Sequence, residues 1–461
     1  MTEKTAREAA VMLAEKILDE KEYSHTALHG FLDRASWMNR QDRAFLSRIV
    51  TGTVERRLFL DYAIDQVSKV KTQKMKPFIR AVLRTAAYQV FFMDGVADRA
   101  ACSEAVNLVK KSRLHNLSGF VNGVLRSLIR EKEGISDLTG IQDKTRAMSL
   151  GYSMPEWIIK EWQGMFSGDV TEQILKSFSE ESPVVVRVNT SLASVGQVRE
   201  SLEARGVKGE AGPYFSSSLI LSGFSRLEEL ECFQKGWIQV QDTSSQLVGY
   251  LAAPKEGSRI IDVCAAPGGK TLHAADLLRG TGKVTACDLS EEKVRLIRDN
   301  VRRIGFQNIE PVVHDALQSN LAWEETADLV IADLPCSGLG VMGRKPDIRY
   351  RMTKEQIVAL QKLQREMLAV VSGYVKPGGR LIYSTCTITR EENVENVRWI
   401  ATHLPFQPMD LSEALPEGLS AMLTKGGERD TAKEGYVQLL PGVHPCDGFF
   451  VSMFRKMVRS Y

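Results

Sequence analysis

The first 135 residues carry their apolar side chains at helical spacing. Ala10, Leu13, Ile17 and Leu18 form one stripe. Leu46, Ile49, Val50, Thr53, Val54 and Leu58 form a second, and Phe120, Val121, Val124, Leu125 and Leu128 a third. Pro77 stands where another helix would begin, ahead of Ile79, Val82, Leu83, Ala86 and Val90. A proline is favoured there because its fixed φ suits the first turn and its missing N–H has no partner to lose. The pattern predicts an all-α domain of about six or seven helices. The period fades between Glu133 and Thr145, where Gly134 and Gly140 mark a linker.

Residues 150–240 read differently. Two tryptophan-bearing helices are expected around Pro155, and then a β-branched run, Pro183 to Asn189, reads as a strand. Gly206, Gly209, Gly212 and Pro213 punctuate the next stretch, as in a small α/β subdomain. From about residue 258 short apolar runs alternate with helical stretches. The strands are expected at 259–264, 283–288, 309–313, 328–333 and 380–385, with a final one at 448–454. Helices are expected at 271–279, 290–304, 355–373 and 391–403. That alternation predicts a parallel, doubly wound sheet of Rossmann type covered on both faces. A chain of 461 residues exceeds one ordinary core, so three parts are expected, over 1–140, 141–240 and 241–461.

Composition adds little until charge is resolved along the chain. The values are those of a soluble globular protein, with 43% hydrophobic and 25% charged residues. No apolar run approaches the length of a membrane span, and Met1 to Glu8 is too polar for a signal peptide, so a cytoplasmic protein is expected. The net charge of +3 conceals an asymmetry: residues 1–140 carry +6 and the remainder −3. Between Arg40 and Arg130 the excess reaches +10, which suits contact with a polyanion as well as a solvated helical surface. Seven scattered cysteines without a Cys-x-x-Cys pair suggest neither a zinc site nor a disulfide framework, and no metal is expected.

The chemistry lies in the sheet region. Asp262-Val-Cys-Ala-Ala-Pro-Gly-Gly-Lys-Thr271 runs from a strand through small residues into a helix. Such a loop turns tightly and faces a ligand with helix N-terminal amides. A phosphate-binding P-loop requires a glycine where Cys264 stands, and the spacing does not match the nicotinamide fingerprint either. Asp288, Asp315 and Asp333 then follow successive strands, at the sheet edge where such folds bind their ligand. Asp288 suits ribose hydroxyls and Asp315 an adenine amino group, although a helix cap explains any one of them equally well.

Two cysteines complete the set. The fourth strand ends Asp333-Leu-Pro-Cys-Ser-Gly338 and the fifth ends Tyr383-Ser-Thr-Cys-Thr387, so both thiols stand over one crevice. Paired thiols beside a cofactor loop suit covalent chemistry on carbon 5 of a cytosine. That carbon becomes nucleophilic only after a thiolate adds at carbon 6, and a second group must then take the carbon-5 proton. Asp333 would bind the pyrimidine edge. An exocyclic-amine methyltransferase would instead be expected to show Asn-Pro-Pro-Tyr or a similar strand end. Spacing does not decide which cysteine attacks.

Residues 150–461 resemble the RNA cytosine-C5 methyltransferases of the NOL1/NOP2/Sun family through Asp262–Thr271, Asp333–Gly338 and Ser384-Thr-Cys386. The resemblance implies S-adenosylmethionine as cofactor, Cys386 as nucleophile and Cys336 as the residue that releases product. It implies cofactor contacts from Cys264, Ala265, Ala266, Pro267, Gly268, Gly269 and Lys270, and from Asp288, Asp315 and Asp333. Lys270 and Asp333 would also meet the base. It further implies that the small subdomain is an RRM-like RNA-binding unit.

Residues 1–135, with Ala6-Arg7-Glu8-Ala9-Ala10, Gln41-Asp42-Arg43 and Val121-Asn122-Gly123-Val124-Leu125, resemble the helical RNA-binding fold of NusB. That pairing is found in bacterial small-subunit ribosomal RNA methyltransferases and implies a monomeric enzyme acting on that RNA or its assembling subunit. The competing expectations are the same chemistry on transfer RNA or large-subunit RNA, and a non-catalytic assembly factor, which the intact cysteines oppose. Arg344 to Arg349 is expected to hold a phosphate near the base, Asp242 to help cap a helix near Ser244, and His444 to be structural.

Overall fold

The computed structural model describes residues 4–425 and 431–458. It divides into two compact units, one of residues up to Glu180 with Met342–Arg351, the other of Glu181–Val341 with the chain from Met352 onward.

The first unit is helical. Among the described residues its first 136 hold eight α-helices: Ala6–Leu18, Ser24–Leu32, Arg40–Glu55, Arg57–Val67, Pro77–Phe92, Asp98–Lys110, Ser118–Arg130 and Lys132–Ser136. The surplus over expectation has two sources. The stripe from Leu46 to Leu58 is broken at Arg56, so Leu58 belongs to the next helix, and part of the expected linker is the short helix Lys132–Ser136. Thr5 starts the first helix as a capping box with Glu8, satisfying two otherwise unpaired backbone amides. Pro77–Phe92 has every residue from Ala81 to Val90 buried and forms the centre of the bundle. Lys144–Gly151, Glu156–Met165 and Gly168–Ser177 come next in the chain. Trp157 and Trp162 both fall on Glu156–Met165, so one helix carries both tryptophans rather than two.

Met342–Arg351 is also part of this unit, although the residues flanking it are not. Its Tyr350 hydroxyl donates to the Glu55 carbonyl at 2.9 Å, and Asp347 accepts from the Ser24 hydroxyl. Asp347 and Arg349 are buried, and Arg349 Nη2 donates to the Met342 carbonyl. The expectation that Arg344–Arg349 as a whole grips a phosphate is therefore corrected: only Arg344 and Lys345 of that basic run are exposed.

The second unit holds two sheets. β1 (Val184–Val188), β2 (Lys208–Ala211), β3 (Ser218–Ser222) and β4 (Ile238–Val240) form an antiparallel sheet in the order β2-β3-β1-β4. Val198 and Leu202 of helix Val195–Glu203 share its core. The larger sheet comprises β5 (Arg259–Asp262), β6 (Lys283–Asp288), β7 (Ile309–Val313), β8 (Ala327–Asp333), β9 (Val375–Thr385), β10 (Phe406–Pro408), β11 (Tyr436–Leu439) and β12 (Phe449–Lys456). Its order is β10-β12-β9-β8-β5-β6-β7, with β11 pairing β12.

From β7 to β9 the neighbours are parallel, as expected. β12 runs antiparallel to β9, β10 and β11, which makes the sheet mixed. Alternate residues feed two separate cores: Ile260, Val284, Leu329 and Ile382 on one face, Ile261, Val330, Leu381 and Tyr383 on the other. A buried ion pair ties the two sheets together. Arg187 Nη1 of β1 lies 2.9 Å from Asp276 Oδ2, and Asp276 also accepts from the Thr190 and Ser191 backbone amides.

Candidate active site

Strand order reverses around β5, and such a reversal leaves a crevice beyond the strand C-termini. The loop after β5 fills its floor. It holds a cis Ala266–Pro267 peptide and turns at Gly268, whose φ of +107° suits glycine, before helix Gly269–Leu277 begins. A Cβ placed on Gly269 would meet nothing within 4 Å, so the backbone there is open to a ligand. Asp262, at the end of β5, is buried and accepts from the Thr271 hydroxyl at 2.7 Å, while its Oδ1 has no hydrogen-bond partner. Burial pushes its carboxyl up to about 7.

Asp288 closes one side of the loop. Its Oδ2 accepts from the Ala266 amide at 3.0 Å, and its Oδ1 lies 3.0 Å from Lys293 Nζ. Asp315 sits after β7 and accepts from the Leu317 amide at 3.0 Å, so it caps its own turn. Cys264 lies in the loop, but burial, then Asp288, Asp262 and Asp333, push its thiol upward and keep it protonated.

The opposite side is built from β8 and β9. Asp333 Oδ2 lies 2.6 Å from Lys270 Nζ, and its Oδ1 accepts from the Ser384 hydroxyl at 2.7 Å. Burial opposes the charge on Lys270, but the Asp333 carboxylate outweighs it and holds the ammonium above its ordinary range. The same ammonium lies 5.3 Å over the Phe449 ring.

Cys336 and Cys386, both half-buried, face each other with their sulfurs 3.4 Å apart. Cys336 is pushed well above the usual thiol range by its hydrogen bond to Cys386, then by burial, then by the charge of Cys386. The backbone behind Cys386 is crowded. Gly340 N–H donates to the Cys386 carbonyl, Gly448 N–H donates to that of Gly340, and a Cβ on Gly340 would fall 2.2 Å from the Gly448 oxygen.

The structure thus gathers Lys270, Asp333, Cys336 and Cys386, and sets Asp288 against the Cys264–Lys270 loop. Asp242 caps helix Thr243–Ala252, and His444 is buried and accepts from the Leu440 amide, so both are structural as expected. Sequence reasoning missed Glu392, which accepts from the Ser337 amide, and Ser384, Thr387 and Phe449. Nothing in the spacing singles them out. The only signal is that Ser337, Ser384 and Thr387 each adjoin or nearly adjoin a motif cysteine.

A crevice of this kind, at the reversal of a mixed sheet with the glycine loop on its floor, is where such folds bind a nucleotide-like cofactor, and similarity to known proteins makes the chain an S-adenosylmethionine-dependent RNA methyltransferase. A family model described as 16S rRNA methyltransferase RsmB/F matches residues 249–455. The NusB family model matches 4–130, and that of the RsmF/B-like ferredoxin-like domain matches 154–228. The "Probable ribosomal RNA small subunit methyltransferase B" of Bacillus subtilis is 33% identical over 99% of this chain and 100% of its own. Ribosomal RNA small subunit methyltransferase B of Cronobacter sakazakii is 27% identical over 98% of each chain. Among solved structures, PH0851 superposes with a TM-score of 0.81 at 27% identity, covering 98% of this chain and 99% of that one. A methyltransferase homologue from Pyrococcus horikoshii gives 0.57 at 26% identity, covering 69% and 100%. The chain belongs to the RsmB/F family of 16S rRNA methyltransferases.

Proposed function

We propose that the enzyme methylates carbon 5 of a single cytosine of 16S rRNA, position 967, through a covalent bond from Cys386 to carbon 6. The observation that carries this reading is the 3.4 Å approach of two thiols beside Asp333 and Lys270. When bound, S-adenosylmethionine supplies an electrophilic methyl group. Cys264 to Lys270 and Asp288 would hold it, with Asp288 on the ribose and Asp315 at the adenine. The support is the open backbone at Gly269 and the unpartnered Asp262 oxygen.

The base would be turned out of its RNA context into the crevice. Asp333, oriented by Lys270 and Ser384, accepts from the cytosine's amino edge and favours protonation at nitrogen 3. Cys336 keeps its proton by donating to Cys386, which leaves Cys386 as the sulfur that carries negative charge. Cys386 adds to carbon 6, and carbon 5 then takes the methyl group. Once the Cys386 charge is spent in the new bond, the main cause holding the Cys336 proton is gone. Cys336 then loses its proton to solvent water, its thiolate removes the carbon-5 proton, and Cys386 leaves as a thiolate.

The basic helical unit and the β1–β4 subdomain would hold the RNA by its phosphates. The working form is a cytoplasmic monomer. The deciding experiment is methyl transfer from labelled cofactor to 16S rRNA, with transfer and 23S RNA as controls. Cys386→Ala should give no product and no adduct, and Cys336→Ala should accumulate a covalent protein–RNA complex. The reverse pattern would exchange the two roles, and product from both would end the covalent reading.

A further inference from the structure

A buried carboxylate lies behind the two cysteines and touches neither. Glu392 is fully buried in the loop before helix Val394–His403. Its Oε1 accepts from the Ser337 amide at 2.8 Å and from Gln364 Nε2 at 3.1 Å. Its Oε2 accepts from the Ser337 hydroxyl at 2.5 Å and the Thr389 hydroxyl at 2.8 Å. Ser337 directly follows Cys336. Its hydroxyl also lies 2.7 Å from that of Thr387, the residue directly after Cys386. Gln364 completes the clamp by donating to the Pro335 carbonyl at 2.8 Å, on the other side of Cys336.

We propose that Glu392 is a positioning residue: its carboxylate fastens the turn after Cys336 to the turn after Cys386 and so sets the distance between the two thiols. Without it the Ser337 amide and the Thr389 hydroxyl would be unpaired, and the other two of the four donors would each lose a partner. Two of the four belong to the residue beside Cys336, and one hydroxyl passes the link to the residue beside Cys386. A carboxylate kept only for packing would not need to reach both turns. Glutamine at 392 can preserve the geometry, because the Ser337 and Thr389 hydroxyls can turn to accept where they now donate. Alanine cannot. The consequence for turnover rests on the covalent reading above, but the spacing itself does not.

Two measurements separate these. In the first, the full-length protein without RNA or cofactor is treated with diamide. The Cys336 and Cys386 thiols lose two protons and two electrons to its N=N bond and join as a disulfide, which peptide mapping quantifies. Glu392→Ala should slow this linkage by at least about tenfold, since displacing a reacting group by an ångström can cost about a hundredfold. Glu392→Gln should stay within about threefold of the parent.

In the second, turnover on 16S rRNA should fall in Glu392→Ala with cofactor affinity unchanged, and the covalent complex should accumulate because Cys336 is displaced. Ser337→Ala, which removes only the hydroxyl link, is read beside it and carries the test if Glu392→Ala does not fold. Parental linkage rates in these variants, or Glu392→Gln as impaired as Glu392→Ala, overturn the proposal. A slowed linkage with no adduct from any variant would uphold the clamp and count against the covalent mechanism alone.

Discussion

The sulfur atoms of Cys336 and Cys386 lie 3.4 Å apart although the residues are 50 positions apart in the chain. At that distance the two cannot both be charged without strong repulsion, so ionisation of one keeps the proton on the other. The Cys336 thiol is held well above its ordinary range by its contact with Cys386 and then by burial.

Thiol reactivity should report this directly. Iodoacetamide at pH 8 should modify Cys386 before Cys336, and Cys336 should gain reactivity once Cys386 is alkylated and its charge is gone. Time-resolved peptide mapping checks the order; faster labelling of Cys336 would place the proton on the other sulfur.

Asp262 gives a pH prediction. Its buried carboxyl keeps its proton up to about 7 in the fold, against an ordinary value of 3.8. The folded state therefore binds more protons than the unfolded chain between those values, and the contribution of Asp262 to stability falls as pH rises through that window. Asp262→Asn removes this dependence. The urea stability of the variant relative to the parent should improve by about 2–3 kcal/mol between pH 5 and pH 8.5. Taking the difference cancels the opposite trend from buried His273, which resists protonation. A constant difference would show that Asp262 is ionised throughout.

Arg187 and Asp276 are both almost wholly buried, and desolvation lowers the Arg187 guanidinium to about 10 even with the carboxylate beside it. Arg187→Ala leaves Asp276 charged without its ion-pair partner. Breaking a buried pair from one side costs about 3–5 kcal/mol, which denaturant titration should show. A loss below about 1 kcal/mol would mean that the Thr190 and Ser191 donors suffice.

Gly340→Ala tests the backbone behind Cys386. The new methyl group would meet Gly448 and the Cys386 carbonyl, backbone atoms that cannot rotate away. Overpacking of this kind costs about 1–3 kcal/mol. Adduct formation should fall far more than cofactor affinity, measured by calorimetry; equal losses of both would point to general unfolding.

The sequence alone was enough to read the element types and the two cysteine motifs, because both are local. Periods of two and of three to four residues follow from strand and helix geometry, and the loop from Asp262 to Thr271 carries its turn chemistry in adjacent residues. The strand β6 was legible to the residue, and the glycine loop excluded a P-loop without any coordinates. Local patterning was least informative where pairing partners are distant. β10 and β11 are short strands that exist only because β12 pairs with them antiparallel, so the mixed character of the sheet had no local signature. Arg349 looked like a surface cation, yet the tertiary structure buries it in the helical unit. Above all, spacing could place two cysteines over one crevice but not bring their sulfurs to 3.4 Å. That distance depends on hydrogen bonds from Ser337, Thr389 and Gln364 to one carboxylate, contacts among residues up to 55 positions apart that only the packed fold brings together.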